Sequence, residues 1–424
     1  MNVPEVVLSN PLAWPEIRFR YLASTAKGRL PRQLSENENY KTSDVPYLSM
    51  EYLRGDENAR YFVSPDCLLL AEASDILLLW DGSNAGEFLK AKCGAISSTM
   101  ALVRPFKLAN NYLFWLCKAV EPILKIFTNG MGIPHVDGKF LNNLCIPCAL
   151  DSKVQYLIAD YLDRETKRID ALVAEKERML ALLEEKRAAL ITHAVTRGLN
   201  PDVAHEPSGL DWLGNIPAHW EIMRLGFLVS LQGGSTPSTS KDDFWDGKIP
   251  WASPKDIKKS LLYDTIDHVT EAALFETGLS LIKPPVVLLV VRGMILAKAV
   301  PTSLTAVPMT INQDMKALRP LNNRIIPEYL KLLFDGLQAP LFMLIEESAH
   351  GTRCFRTDLL TNFKIPLPMP DEQQILLAQV GNADDKLKSL GETVRRSIGL
   401  LKERRAALIT AAVTGQISVE EMTT

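Results

Sequence analysis

No hydrophobic run in this sequence could cross a membrane: the longest aliphatic stretch, 286–291, stops at Arg292, where a spanning helix needs about 20 apolar residues. Cysteine is scarce, with 6 in 424 residues, which excludes a disulfide scaffold; the thiols are expected to stay reduced. The 23 glycines follow no collagen period. Charge of one sign is not in excess either, since 47 Lys+Arg face 50 Asp+Glu. Contact with nucleic acid would therefore have to come from local clusters. The opening MNVPEVVLSN has neither a basic n-region nor an apolar h-region, so no secretory signal is read and a cytoplasmic address is expected. What the chain does have is 47% apolar residues at a net charge of −3, enough to build folded cores.

It also has an internal repeat. LLEEKRAALITHAVT at 182–196 and LLKERRAALITAAVT at 400–414 agree at 12 of 15 positions with an offset of 218. The offset continues upstream, pairing Gln155 with Gln373, Leu162 with Val380 and Ile169 with Leu387. With one residue of slippage LNNLCIP (141–147) matches LTNFKIP (360–366). VPYLSMEYL (45–53) resembles IPWASPKDI (249–257), and each precedes an aliphatic run ending in glycine, DILLLWDG (75–82) and VVLLVVRG (286–293). The chain reads as two copies of one module of roughly 200 residues.

Each module closes on a long helix. Gly and Pro are absent from 152 to 197, and Ala, Leu, Glu, Lys and Arg dominate. Steps of four and three give an apolar seam through Ile158, Leu162, Ile169, Leu172, Met179, Leu183 and Leu190. In the second copy the seam runs through Leu376, Val380, Leu387, Leu390, Val394, Leu401 and Leu408. Matching seams predict that the two helices pair as a coiled coil; the alternative is that each packs on its own domain. The remainder is α/β in texture. Short strands are expected at 46–50, 76–80 and 286–291, and amphipathic helices at 111–126 and 327–347. The expected organisation is a globular domain over 1–150, a long helix over 151–197, a Gly/Pro-rich linker over 198–219, a second globular domain over 220–370, a second long helix over 371–415 and a tail over 416–424.

Motifs for chemistry are few. Gly138-Lys139 and Gly247-Lys248 lack the upstream glycine and following hydroxyl of a phosphate loop. Lys283-Pro284-Pro285-Val286 has neither the polar head nor the aromatic of an amino-methyltransferase loop. Asp160, Glu165 and Lys167 lie on the long helix, where a solvated face is the simpler reading. The histidines show no metal-ligand spacing. Cys145-Ile146-Pro147-Cys148 is matched by Lys364-Ile365-Pro366-Leu367 in the second copy, so its cysteines read as structural. No catalytic residue and no metal ligand is assigned.

Cations in loops are the remaining candidates. The first module offers Lys27, Arg29, Arg32, Lys41, Arg54, Arg60, Lys90 and Lys92; the second offers Lys241, Lys248, Lys255, Lys258, Lys259 and Lys298. Such side chains neutralise phosphates or read base edges.

The motifs together resemble the type I restriction-modification specificity subunits. The residues that carry the likeness are the repeated LLxExRAALITxAVT, YLDRETKRIDALV (161–173), PSGLDWLGNIPAHWEIMRL (207–225), GGSTPS (233–238), IPWASPKDI (249–257), INQD (311–314), WDGSNAG (80–86) and IPLPMPDEQ (365–373). The resemblance implies an α/β (α+β) protein with two target-recognition domains joined by two long helices in an antiparallel coiled coil, with internal pseudo-twofold symmetry. It implies a non-catalytic subunit that reads a bipartite target in double-stranded DNA, with the helices setting the unread spacer. It also implies two modification (methyltransferase) subunits and restriction/translocase subunits as partners. S-adenosylmethionine, ATP and Mg would then be bound by those partners, with no cofactor on this chain and no membrane association. Departures are Val154-Gln155 where the second copy has Glu372-Gln373, and Gly381, Gly391 and Gly399 in the second helix, which are expected to loosen it. The alternative function is a helical scaffold or adaptor without sequence-specific DNA binding.

Overall fold

The structure is a computed structural model that describes residues 10–31, 33–36, 41–55, 58–66, 68–128, 132–347 and 351–423. Two long helices, Ser152–Arg197 and Pro370–Val413, fall within two residues of the expected spans. No described helix is long and apolar enough to cross a membrane. The chain forms two compact units, Met1–Glu177 with Arg395–Thr424, and Arg178–Val394. The division thus cuts both long helices, where the sequence had placed boundaries at 150 and 220. The reason is their pairing: each unit takes one globular head, half of one long helix and the opposite half of the other.

In the first unit the head begins on a two-stranded ladder, Glu16–Arg18 against Cys145–Pro147. A four-stranded antiparallel sheet follows in the order Ala23–Lys27, Met100–Pro105, Ile76–Leu79, Phe88–Lys90. A second sheet orders Ser35–Glu36, Tyr61–Val63, Val45–Leu48, Gly94–Ile96 and Leu70–Ala71, with a parallel pair between Val45–Leu48 and Gly94–Ile96. The strand Ile76–Leu79 is buried on both faces. Ile76 and Leu78 point into the core under the helix Asn110–Ile126, and Leu77 and Leu79 into the core shared with Leu48 and Ile96. A period of two with cover on both sides leaves no polar position, which is why this strand reads as a continuous apolar run. Each such side chain contributes about 1.5–3 kcal/mol on burial.

The second unit repeats the plan. Its ladder is Glu221–Arg224 with Lys364–Leu367. Its main sheet runs Val229–Gly233, Met315–Pro320, Val287–Val290, Thr302–Thr305, Leu261–Leu262. Its second sheet is Asp267–Val269, Trp245–Ala252, Thr310–Ile311, again with one parallel pair. Val287 and Leu289 face one core, Leu288 and Val290 the other. The helix expected over 327–347 is shorter: Pro327–Gly336 and Gln338–Phe342 precede a strand at Ile345–Glu347. Gly336 is where the first long helix comes closest. A Cβ there would lie 2.5 Å from Val195 Cγ2, and Thr192 Oγ1 donates to the Gly336 carbonyl at 2.9 Å.

Both halves of each long helix have packing partners. In the first unit Ile158 and Leu162 share a core with the head and with Ile409, Ala412 and Val413, while Arg405 Nε meets Asp170 at 2.8 Å. In the second unit Ile191, Ala194 and Val195 share a core with Leu376 and Val380, and Arg187 pairs with Asp384. In each unit one helix ascends as the other descends, so the pairing is antiparallel. The helices pack on each other and on the heads, so both expected modes of packing occur together.

The seam departs from the expected phase. Leu172, Met179 and Leu390 are 45%, 41% and 47% exposed. The inward line of the first helix is Ile158, Leu162, Thr166, Ile169, Val173, Lys176, Leu180, Leu183, Arg187, Leu190 and Ala194, all buried or half-buried. From Leu162 to Ala194 the steps still alternate four and three, so the heptad spacing holds; every second position sits one residue further on than expected, at 166, 173, 180 and 187 in place of 165, 172, 179 and 186. The second helix follows in register, with Gly391 inward where Leu390 was expected and Ile398 buried one heptad further on.

Segments 198–219 and 416–424, expected as linker and tail, are structural. His205–Pro207 and Asn215–Pro217 form a hairpin, Leu213, Ile216 and Trp220 join the second core, and Trp212 stacks on Phe363 at 5.3 Å. Met422 enters the first core.

A buried glutamine fastens each head to its helix. Gln155 Oε1 accepts from Ala109 N at 2.8 Å and its Nε2 donates to the Ala149 carbonyl at 2.8 Å. Gln373 Oε1 accepts from Ile326 N at 2.9 Å, and Nε2 donates to Arg324 O and Pro368 O at 2.7 and 2.9 Å. Ala109 and Ile326 are the N-caps of the two head helices and have no side-chain cap. Gln155→Ala or Gln373→Ala is expected to cost about 2–3 kcal/mol in chemical denaturation, by stranding buried groups; the exposed Gln374→Ala is the control and should cost under about 0.5 kcal/mol.

The tyrosines at equivalent places on the head helices differ. Tyr112 OH accepts from Ala149 N at 3.0 Å, but the matching position in the second copy is Pro368, which has no N–H. Tyr329 OH is accordingly buried without a hydrogen-bond partner among the described residues. Thermal melts should show Tyr112→Phe destabilising by about 1 kcal/mol and Tyr329→Phe neutral or stabilising.

Burial alone would raise the Asp384 carboxyl, but hydrogen bonds from Arg187 and Lys388 hold it below its ordinary value. Its contribution is present above the unfolded aspartate range near pH ~3.9 and is lost as pH falls through the lower folded value. Asp384→Asn should therefore lower stability at neutral pH and flatten the acid limb of a pH–stability curve.

Candidate nucleic-acid interface

In each head the strand that leaves the ladder ends in a glycine forced by a close approach. A Cβ on Gly28 would lie 2.1 Å from the Ser97 carbonyl, and one on Gly234 1.9 Å from the Ile311 carbonyl. Ile311 lies in the second sheet and Ser97 directly follows its strand Gly94–Ile96, so the glycines bring the two sheets into contact at the same point of each repeat. Around Gly234 three motifs converge. Trp251 Nε1 donates to Ser235 O at 3.1 Å, Asn312 N donates to Ala252 O at 2.9 Å, and Thr236 Oγ1 hydrogen-bonds Gln313. GGSTPS, IPWAS and INQD are thus one structural knot that projects loops from the head's rim.

The candidate cations divide by electrostatic state. Lys27 pairs with Asp81 at 2.7 Å, Arg54 with Glu87 at 2.7 Å, Lys90 with Asp163 at 3.5 Å, Lys241 with Glu276 at 3.2 Å and Lys255 with Asp267 at 2.6 Å. Lys90 thereby faces the first long helix. Lys92 turns inward, donating to Tyr52 O at 2.5 Å with its ammonium 4.4 Å from the Tyr52 ring centroid. These six are committed to the protein's own groups. Arg29, Lys41 and Arg60 remain exposed in the first head, and Lys248, Lys258, Lys259 and Lys298 in the second. Arg32 lies outside the described residues. Arg29 and Lys41 line one open cleft of about 690 Å³ with Gln33, Ser35, Asp44 and Ser64, and Arg60 stacks its guanidinium 5.4 Å from the Tyr61 ring centroid.

Sequence reading missed the exposed Tyr263 and Ile266, 66% and 63% accessible on the same segment as Lys258 and Lys259, and the buried Asp256, which accepts from Ile266 N. A Ser-x-x-Asp pattern at Ser253–Asp256 was the available signal, because such a carboxylate turns back on its own backbone. Of the CIPC cysteines, Cys145 is exposed and Cys148 buried, its thiol pushed up to about 11 by burial. Among the described residues no group of His, Cys, Asp and Glu could hold a metal ion.

Residues 13–180 and 217–391 match the family described as type I restriction modification DNA specificity domain. The chain is 27% identical, over 97% of its length and 95% of the relative's, to the type I restriction enzyme MjaVIII specificity subunit of Methanocaldococcus jannaschii. It is 34% identical over 43% of its length to the EcoR124I/EcoR124II specificity subunit of Escherichia coli, covering 46% of that protein. In fold it is similar to a chain of a solved type I R-M system, with a TM-score of 0.73 at 16% identity over 96% of this chain and 100% of that one. The HsdS subunit from Thermoanaerobacter tengcongensis gives a TM-score of 0.53 at 17% identity over 98% and 100%. The chain belongs to the type I restriction-modification specificity subunits and carries two copies of their DNA specificity domain.

Proposed function

We propose that each head reads one half of a bipartite double-stranded DNA target and that the paired helices set the unread spacer between the halves. The observation that carries this reading is that two DNA specificity domains are fastened by the same buried glutamine to helices of 46 and 44 residues. Half-sites must present corresponding groove faces, so a helix of fixed length acts as a ruler. The repeated LLxExRAALITxAVT surface occurs once per helix and accounts for two modification subunits on one chain. Restriction/translocase subunits join that assembly. Methyl transfer, with S-adenosylmethionine, and ATP-driven steps, with Mg, belong to those partners in a cytoplasmic complex; the target base is flipped by the partner while this chain supplies address and register.

Inserting four residues into each long helix, near 175 and near 393, should preserve both half-sites and change the spacer between them. Methylome sequencing of a host expressing the complex reads this directly. An unchanged spacer refutes the ruler, and a motif that is not bipartite refutes the reading as a whole.

A further inference from the structure

One buried carboxylate in the second head has no role in the core. Asp256, 8% exposed, accepts three hydrogen bonds: from Ser253 N at 2.9 Å and Ser253 Oγ at 2.8 Å on Oδ2, and from Ile266 N at 2.9 Å on Oδ1. Its two oxygens therefore clamp the start and the end of loop 254–266, which carries the two-residue edge strand Leu261–Leu262 of the main sheet. Ile257 and Leu262 anchor the same loop from below, in the core with Leu288 and Val290. Its middle is tied by Ser303 Oγ donating to Lys259 O at 2.5 Å and Leu304 N donating to Ser260 O at 2.8 Å. Lys255 is held by Asp267 at 2.6 Å. What the loop presents outward is two exposed lysines without a carboxylate partner among the described residues, Lys258 and Lys259, with Tyr263 and Ile266, and the exposed Asp264, whose carboxylate is paired with His268 at 2.8 Å.

We infer that loop 254–266 is the DNA-reading element of the second head and that Asp256 is the positioning residue that holds it in register. Two ammonium groups and an exposed phenol on one clamped segment suit a duplex: the lysines neutralise phosphates, and the Tyr263 ring and hydroxyl reach a groove edge. A solvated loop needs no internal clamp. Three hydrogen bonds on one buried carboxylate, with two apolar anchors, fix the excursion between the strands Trp245–Ala252 and Asp267–Val269. Pre-ordering of that kind reduces the ordering entropy lost on binding. The first head lacks the clamp. There the position aligned with Asp256 is Tyr52, the Ser49 hydroxyl accepts only from Tyr52 N at 3.2 Å, and Arg54, aligned with Lys258, is neutralised by Glu87. The inference concerns the second half-site alone, which makes the first half-site an internal control.

This assignment rests on the proposed bipartite reading, and the experiment separates the two. Full-length Asp256→Asn, Tyr263→Ala and Lys258→Ala/Lys259→Ala chains are assembled with the modification subunits and assayed on the motif found by methylome sequencing. Asp256→Asn replaces one accepting oxygen by a donor facing donors, so it should lower specific affinity about tenfold and relax one half-site only. The slope of non-specific binding against salt should stay as in the wild type. Tyr263→Ala, exposed and harmless to the fold, should relax that same half-site. The double lysine variant should reduce the salt slope by about two. If Asp256→Asn and Tyr263→Ala leave both half-sites as sharp as in the wild type, the inference is overturned. Equal loss at both half-sites overturns it too, since that marks general unfolding. A wild-type complex without any bipartite motif sinks the functional reading itself, whatever the variants do.

Discussion

The primary amide at the start of each long helix is the interaction on which the rest depends. A glutamine side chain presents an acceptor and a donor on one rigid plane, and here the acceptor caps the head helix while the donor binds a carbonyl just after the approach strand, Ala149 in one copy and Pro368 in the other. Glutamate could not donate, and an apolar residue could do neither. Because these groups are buried, leaving them unpaired costs more than the bonds contribute when formed. The amide therefore selects one seating of head on helix. That seating is independent of the head's rim, so the rim loops can differ between copies while the junction stays the same.

Much of this was legible in the chain. The offset of 218 aligned Gln155 with Gln373 before any contact was known, and the double-faced central strands announced themselves as unbroken aliphatic runs. The seam's seven-residue repeat is legible, while alternate positions lie one residue off because the apolar leucines at those places face solvent. Leucines at 172 and 390 satisfy a heptad by residue type, but the same heptad runs one residue later at every second position, and Val173 and Gly391 take the inward places. The segment 198–219 was read as linker from its Gly and Pro content. Its Trp212, Leu213 and Ile216 mattered more, since they give a short hairpin enough apolar surface to dock.

The candidate site was legible by residue type and not by electrostatic state. Lys27 and Asp81 are 54 residues apart, and Arg54 and Glu87 33 apart. No local pattern links them; the fold does, by placing neighbouring loops on one rim. Asp256 was hidden for the opposite reason. Its partners lie 3 and 10 residues away, close enough to look like ordinary turn chemistry, and only burial distinguishes a clamp from a turn.

The two heads thus share a scaffold and differ in how their polar groups are committed. A cation already paired with a carboxylate releases fewer counterions on meeting a phosphate than a free one does, so it contributes less to salt-dependent affinity. In the first head three of the eight candidate cations are paired with carboxylates and a fourth, Lys92, is turned onto Tyr52. In the second head Lys248, Lys258, Lys259 and Lys298 stand exposed. On the proposed reading the second head supplies the larger share of electrostatic attraction, and the first relies more on shape and on the Arg29–Lys41 cleft. A duplicated recognition subunit does not need equal halves. Each head can read its own half-site with a different balance of phosphate contact and shape, provided that the helices between them keep their length.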